Sequence, residues 1–413
     1  MLAGEVIFLL PFVLPRLFKP TLLAVFEINK TELGLMQSVY GFVALGAYFF
    51  GGPLADKVSP HKLMTAALVL TGFGGVYLGT LPFSSHLFWV YGFWGMTTIL
   101  LFWAALLRTT RFVGGSTSQG KAFGLLDGGR GLVAALIGTA AVSILAHFLP
   151  AGFENISPLE RAHAFRMVIF FFTGFVFFTA ILVFIVLRRF SKKATETKKN
   201  VSVSAMLRVL KKPQVWLQAL IILCAYSGYR VTDNFSLLAV DVFGYDEVKA
   251  AFVGTLALYL RPISAVLAGI FADRKNPSMV MLFCFLSMFI GGITMWIAPS
   301  EWYTYTLLVM VVSSTCLGVY AMRGLYFAIM GEAKIPLSIT GTVVGLASVI
   351  GYLPDIYMSP LTGKLNDLYP GALGHRYVFM LLAGFSVLGV LAVLEFRRLN
   401  KKYLAQNSKY SAV

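Results

Sequence analysis

The chain has 413 residues, 58% hydrophobic and only 13% charged, with a mean hydropathy of +0.79. Soluble domains carry about 25% charged residues, so this composition cannot cover a water-facing exterior and excludes a soluble enzyme, a disordered chain and an ordinary DNA-binding domain. Cys224, Cys284 and Cys316 sit in apolar runs and offer neither a disulfide framework nor a metal spacing, and the formal net charge of +16 calls for a membrane explanation.

A bilayer core of about 30 Å takes about 20 apolar residues per helix, and twelve such segments follow one another. The first, 5–26, is interrupted by Arg16 and Lys19 and begins on Glu5, which argues against a cleavable signal peptide. The second, 34–54, holds Tyr40 and leads through Asp56 and Lys57 into the third, 62–82. The fourth is 87–108. The fifth, 122–148, contains Asp127 and Arg130, and the sixth is 165–187. A long polar stretch from Arg188 to Lys212 divides the chain. The seventh segment, 214–241, carries Tyr226, Tyr229, Arg230 and Asp233. The eighth, 249–272, carries Arg261 and runs through Asp273 and Arg274 towards the ninth, 278–298. Arg323 lies in the tenth, 303–330. Tyr352 and Asp355 lie in the eleventh, 338–362, and the twelfth is 377–396. The expected fold is an all-α membrane protein: a six-helix bundle over 1–187, a basic linker over 188–212, a second six-helix bundle over 213–396, and a tail over 397–413.

Lysine and arginine orient the chain. With the N-terminus in the cytoplasm, the inside segments hold 22 of the 34 basic residues and the outside loops hold 6. Cytoplasmic loops carry such an excess, so both termini and the 188–212 linker are expected inside. A nucleic-acid partner is not.

The remaining six cations are Arg16, Lys19, Arg130, Arg230, Arg261 and Arg323, all within predicted helices. A charge at a helix centre costs about 2.5–3.5 kcal/mol on insertion scales and persists facing a protein interior, a watery cavity or a partner. The acidic residues at depth are Asp127, Asp233 and Asp355, with Glu332 near a helix end. The interior is net positive, as a site for an anion would be. Asp127 and Arg130, and Arg230 and Asp233, are three residues apart and share a helix face, so each pair can neutralise itself until an anion competes. Arg130 and Arg230, then Arg16, are the expected anion-binding residues, because guanidinium holds phosphate or carboxylate bidentately and stays charged. Lys19, Arg261 and Arg323 read as structural, off the axis or near a helix end. Tyr40, Tyr226, Tyr229 and Tyr352 are candidate hydrogen-bonding neighbours, and Asp355 a candidate carrier of a coupling proton. No cofactor or metal is expected. The run Gly115-Ser116-Thr117-Ser118-Gln119-Gly120-Lys121 imitates a phosphate loop but has Ala122 where Mg²⁺ needs a hydroxyl, and no strand precedes it.

Two turns carry a resemblance. The run from Gly51 to Lys62, with Leu54-Ala55-Asp56-Lys57, and its echo Gly269-Ile270-Phe271-Ala272-Asp273-Arg274-Lys275 resemble the G-x-L-A-D-R-x-G-R-[KR] loop of the major facilitator superfamily. Its recurrence in each half matches that superfamily's repeated six-helix bundles. The resemblance implies the major facilitator fold, with Asp56, Lys57, Asp273 and Arg274 as gating residues. Within the superfamily the chain looks most like the organophosphate:phosphate antiporters and their bacterial relatives. The residues that carry this are Ile28-Asn29-Lys30-Thr31-Glu32-Leu33-Gly34, Arg16 in the first segment, Tyr229-Arg230-Val231-Thr232-Asp233 in the seventh, Asp127-Gly128-Gly129-Arg130-Gly131 in the fifth, and Thr340 to Tyr352. Arg130 stands where that family has a functional histidine, and the first segment aligns only with a short gap. The resemblance implies a secondary active transporter in the bacterial inner membrane, monomeric, not an enzyme, that moves a small organic anion by phosphate exchange or proton symport. Two alternatives remain open: proton-coupled export of a neutral or cationic compound through Asp127, Asp233 or Asp355, and a non-transporting sensor signalling through the linker.

Overall fold

The computed structural model describes residues 1–114, 119–149, 156–190, 212–274, 276–326, 328–332 and 347–410. The described chain is helical throughout. Its helices, in order, are α1 (Leu2–Val6), α2 (Leu14–Leu17), α3 (Lys19–Phe26), α4 (Lys30–Lys57), α5 (Pro60–Gly79), α6 (Leu87–Gly95), α7 (Ala104–Gly114), α8 (Gln119–Phe148) and α9 (Pro158–Phe190). They continue as α10 (Pro213–Val231), α11 (Phe235–Asp241), α12 (Glu247–Arg274), α13 (Pro277–Ile297), α14 (Tyr305–Leu325), α15 (Ile329–Glu332), α16 (Pro354–Leu368) and α17 (Ala372–Tyr410). Wider π turns join α1 to α2 over Leu9–Val13 and α6 to α7 over Met96–Trp103. Among the described residues nine helices are long and apolar enough to cross a membrane, or ten with one sharply bent pair. The chain is an integral membrane protein.

Two of the twelve expected segments are broken. The first is not one straight helix: Leu9–Leu17 and Lys19–Phe26 meet at 99°. Pro20 has no N–H to give the preceding turn and suits the first turn of a new helix, so the chain leaves helical geometry at Phe18 (φ −111°, ψ 32°). The seventh is interrupted by a 3₁₀ turn over Thr232–Asn234, a run of short polar residues that compete with the backbone for hydrogen bonds. The eleventh segment is described only in part, because 333–346 lie outside the described residues. Its helix α16 runs six residues past the expected end at 362. The tail expected from 397 continues α17 to Tyr410.

Packing separates two apolar cores. One gathers buried residues from Val6 to Val183 together with Ala251 and Leu258 of α12, and the other from Ala219 to Phe396. The two halves meet through α4 against α16 and α8 against α12. Glycine makes the first approach possible: a Cβ on Gly34 would lie 2.5 Å from the Pro360 Cα, and one on Gly363 would lie 2.3 Å from the Lys30 carbonyl oxygen. The start of α4 is held from both halves. Asn29 and Glu32 form a reciprocal capping box. From the other half, the Asp367 carboxylate accepts the backbone N–H groups of Lys30 (3.3 Å) and Thr31 (2.7 Å). Lys30 Nζ reaches Asp241 at 2.8 Å, and His375 Nε2 lies 3.1 Å from the same carboxylate.

Candidate functional site

The two chain breaks face each other and aim polar groups into the bundle centre. Arg16 lies in the last turn of α2 just before the bend, and its Nε lies 2.6 Å from Asp233 Oδ1 in the 3₁₀ turn of the other half. Lys19, just beyond the bend, donates to Asn234 Oδ1 at 2.7 Å. Ser236 Oγ donates to the Arg16 carbonyl at 2.8 Å, which occupies an acceptor that the bend exposes. Arg230 closes the group: its Nη1 is 2.6 Å from Asp233 Oδ2, its Nη2 donates to Ser359 Oγ at 2.6 Å, and its Nε is 3.6 Å from Asp355 Oδ1. Asp355 also accepts from the Tyr226 hydroxyl at 2.9 Å.

A second charge network lies on α1, α8, α12 and α14. Glu5 is 3% exposed and bridges the halves, 2.9 Å from Arg130 Nε and 3.3 Å from Arg261 Nη1. Arg261 in turn holds Asp127 at 3.0 Å. The expected local pair of Asp127 with Arg130 is loose, at 3.8 Å, because Arg261 from the other half is the nearer partner. In the sequence Glu5, at the start of its apolar run, spoke only against a cleavable signal peptide and did not stand among the acidic residues at depth.

Between the two networks is a small cavity of about 70 Å³. Arg16, Arg130, Arg230 and Arg323 line it with the carboxylates of Glu5 and Asp355. Tyr40, Tyr48, Tyr226, Tyr229 and Tyr352 form much of its wall, and Phe8, Phe12 and Trp103 complete it. The first-ranked arginines of the sequence reading therefore share one cavity with all four of its tyrosines. Arg261 and Lys19 do not line it.

Arg323 departs from its expected structural role. Its guanidinium carbon lies 4.1 Å from the Tyr229 ring centroid, and that of Arg16 lies 4.5 Å from the same centroid. Its nearest carboxylate, Asp127, is 3.9 Å away. Arg323 Nε and Arg16 Nη2 are buried with no hydrogen-bond partner among the described residues. Arg230 Nε is likewise buried with no hydrogen-bond partner among the described residues, so Arg16, Arg230 and Arg323 all retain donor capacity and Arg130 is the better-paired cation of the cavity. The position of Arg323 near the end of its segment hid this, because there a long side chain can also snorkel to the interface. Of the expected gating residues, Lys57 ends α4 and Arg274 ends α12, both exposed. Asp56 and Asp273 fall in those last turns, and their side chains lie outside the described residues.

The sequence profile of the Major Facilitator Superfamily matches residues 2–353. The chain belongs to the major facilitator superfamily. Two inner membrane proteins of Escherichia coli K12 are similar along nearly the whole chain. YihN is 28% identical over 413 residues, covering 97% of this chain and 94% of its own. YqcE is 27% identical over 377 residues, covering 89% and 86%. Among solved structures, the nucleoside transporter NupG superposes with a TM-score of 0.69 at 13% identity, covering 96% of this chain and 98% of its own. An inward-facing, unoccupied bacterial homologue of the human lysosomal transporter Spinster also gives 0.69 at 13%, covering 98% and 97%. Membership of the major facilitator superfamily makes this protein a secondary transporter of a small molecule and not an enzyme.

Proposed function

We propose that this superfamily member carries a small organic anion across the bacterial inner membrane, by alternating access between two six-helix bundles that are each made of six spans. One observation carries the reading: four arginines line a single cavity between the halves, and three of them keep an N–H group without a hydrogen-bond partner, Arg230 and, over the Tyr229 ring, Arg16 and Arg323. A buried cation costs several kcal/mol unless paired, and an arriving carboxylate or phosphate would supply what Arg16 and Arg323 lack. Arg130 and Arg230 complete the site by exchanging part of their bonding to Glu5 and Asp355 for the ligand. The residues of the cavity come from both halves, so an anion held by both sets favours the state that brings them together. The resemblance to the organophosphate:phosphate antiporters supports an exchange with phosphate, and the cavity position of Asp355 supports a coupled proton. The names of the E. coli relatives support the inner membrane as location.

A second reading draws on the short pairings of Arg130 with Glu5 and of Arg230 with Asp233, which leave much of the positive charge internally spent. It is proton-coupled transport of a neutral molecule; NupG, which shares the fold, is a nucleoside transporter. Thermal shift of the purified protein in detergent separates the two. Sugar phosphates, glycerol phosphate, phosphate and carboxylates are compared with nucleosides and neutral sugars. Anions are expected to raise the melting temperature, and Arg323→Gln is expected to abolish that rise while the unliganded protein melts normally. A rise with neutral ligands alone would install the second reading.

A further inference from the structure

Each of the four arginines that line the cavity has an aromatic ring against its charged end. The Arg130 guanidinium carbon lies 5.3 Å from the Phe8 ring centroid and 5.6 Å from that of Trp103, and the carbon of Arg230 lies 5.2 Å from that of Phe12. Tyr229 differs from these rings in carrying two guanidinium groups, one from each half: Arg323 at 4.1 Å and Arg16 at 4.5 Å. It is itself 8% exposed, and its ring packs on Tyr226 at 5.3 Å and Tyr320 at 6.3 Å, both of its own half. Guanidinium carries all its N–H donors in its plane, and its faces carry none. A carboxylate binds that edge and uses the donors up. An aromatic ring attracts the cation through the negative charge over its face and leaves the edge alone. Around Tyr229 the edges are partly unused. Arg16 gives Nε to Asp233 while its Nη2 has no hydrogen-bond partner among the described residues, and Arg323 Nε has none either.

Resting on the anion reading above, we propose that Tyr229 is a positioning residue of the cavity: its ring face holds Arg16 and Arg323 in place as buried cations with donors free for a ligand. Two like charges gathered on one ring repel each other, and the ring face offsets that repulsion together with part of the cost of burial. This role differs from the hydrogen bond expected of Tyr229 in the sequence, because the working part of the side chain is the π face and not the hydroxyl. Phenylalanine therefore keeps the function, and an aliphatic side chain loses it. Drawing electron density out of the ring weakens it with little change of shape. Arg16 comes from one half and Tyr229 from the other, so the same stack also joins the halves at the proposed anion site.

Replacement of Tyr229 in the whole purified protein tests this, with phosphate, glycerol 3-phosphate, glucose 6-phosphate and gluconate as the binding probes. For the probe that wild type binds best, Tyr229→Leu is expected to weaken binding by about tenfold or more, and Tyr229→Phe to restore most of that loss. Phenylalanine carrying one, two and then three ring fluorines in place of Tyr229 should weaken binding step by step. This series keeps the shape of the side chain, so it reports even if the leucine variant fails to fold. The melting temperature of the unliganded protein should fall along the same series, and the fall should shrink when Arg323→Gln removes one of the two cations. A loss in Tyr229→Phe as large as in Tyr229→Leu would make the hydroxyl the working group. An affinity or a melting temperature indifferent to the fluorine count would leave the ring as filling. Either result overturns the positioning role while the anion reading stands. Wild type that binds none of the four probes overturns the anion reading, and the positioning role with it.

Discussion

Asp233 is the residue on which most of the buried charge at the two chain breaks depends. It serves Arg16 and Arg230 at once, each at 2.6 Å. Removing one partner of a buried ion pair costs about 3–5 kcal/mol because a charge is left uncompensated. Asp233→Asn takes the nearest carboxylate from two guanidinium groups at once, leaving Arg230 only the longer contact to Asp355, whereas Arg230→Met leaves Asp233 still bonded to Arg16. Asp233→Asn is therefore expected to lower the melting temperature in detergent more than Arg230→Met or Arg16→Met. Pairing Asp233→Asn with Arg230→Met should recover only part of the loss, since Arg16 stays unpaired. Equal destabilisation by the three single substitutions would show that Asp233 does not join the two arginines. From the sequence, the spacing of Arg230 and Asp233 on one helix face pointed to their pairing. The link to Arg16 was not legible, because it crosses 217 positions of chain and exists only where two helix breaks coincide in space.

At the scale of elements, the contact of α4 with α16 is the part of the structure that must open if the cavity is to face the other side. It is built for close approach: Gly34 and Gly363 admit backbone where any side chain would collide, and Asp367 holds the first turn of α4 across the boundary. Capping of this kind contributes about 0.5–2 kcal/mol, small enough to be broken in each cycle. Gly363→Val puts carbon against the Lys30 carbonyl and should wedge the halves apart at this end. A cysteine at Ser38, which is buried at this contact with its hydroxyl on the Ile356 carbonyl, should then react faster with a membrane-impermeant thiol reagent, by tenfold or more over the Ser38→Cys protein alone. The native cysteines are all buried and give little background. Unchanged reactivity would place the moving contact elsewhere. The hydropathy of the segments showed which stretches are helices. The bend at Phe18 and the turn at Thr232–Asn234 were not marked as breaks, because Pro20 and a Thr-Asp-Asn run are both compatible with a continuous apolar segment read by composition alone.

Over the whole molecule, the charge distribution sets the orientation. With 22 basic residues assigned to one face and 6 to the other, both chain ends and the 188–212 linker are expected in the cytoplasm. Reporter fusions after Lys192 and after Phe396 should both read cytoplasmic, and one after Leu81 should read periplasmic. Opposite readings from the first two would mean an odd number of spans between them. If the three hold, the α4–α16 contact is on the periplasmic face, since α4 runs from that contact towards Lys57.

The sequence by itself determined the environment and the chemistry available in it. Too few charges for a soluble surface, apolar runs of helix-spanning length and a repeated turn motif led to a helical membrane protein of the major facilitator superfamily. Arginine is costly in hydrocarbon, so each arginine within an apolar run was conspicuous. Only the tertiary structure decided which of those charges answer one another. Glu5 became an inter-half bridge, Arg261 took Asp127 away from Arg130, and Arg323 emerged beside Tyr229 with bonding capacity to spare. The physical reason is that the cost of burying a charge is local and leaves its mark in sequence. The partner that offsets it is chosen by the three-dimensional approach of segments hundreds of residues apart, and pairing at that range leaves no periodicity to read.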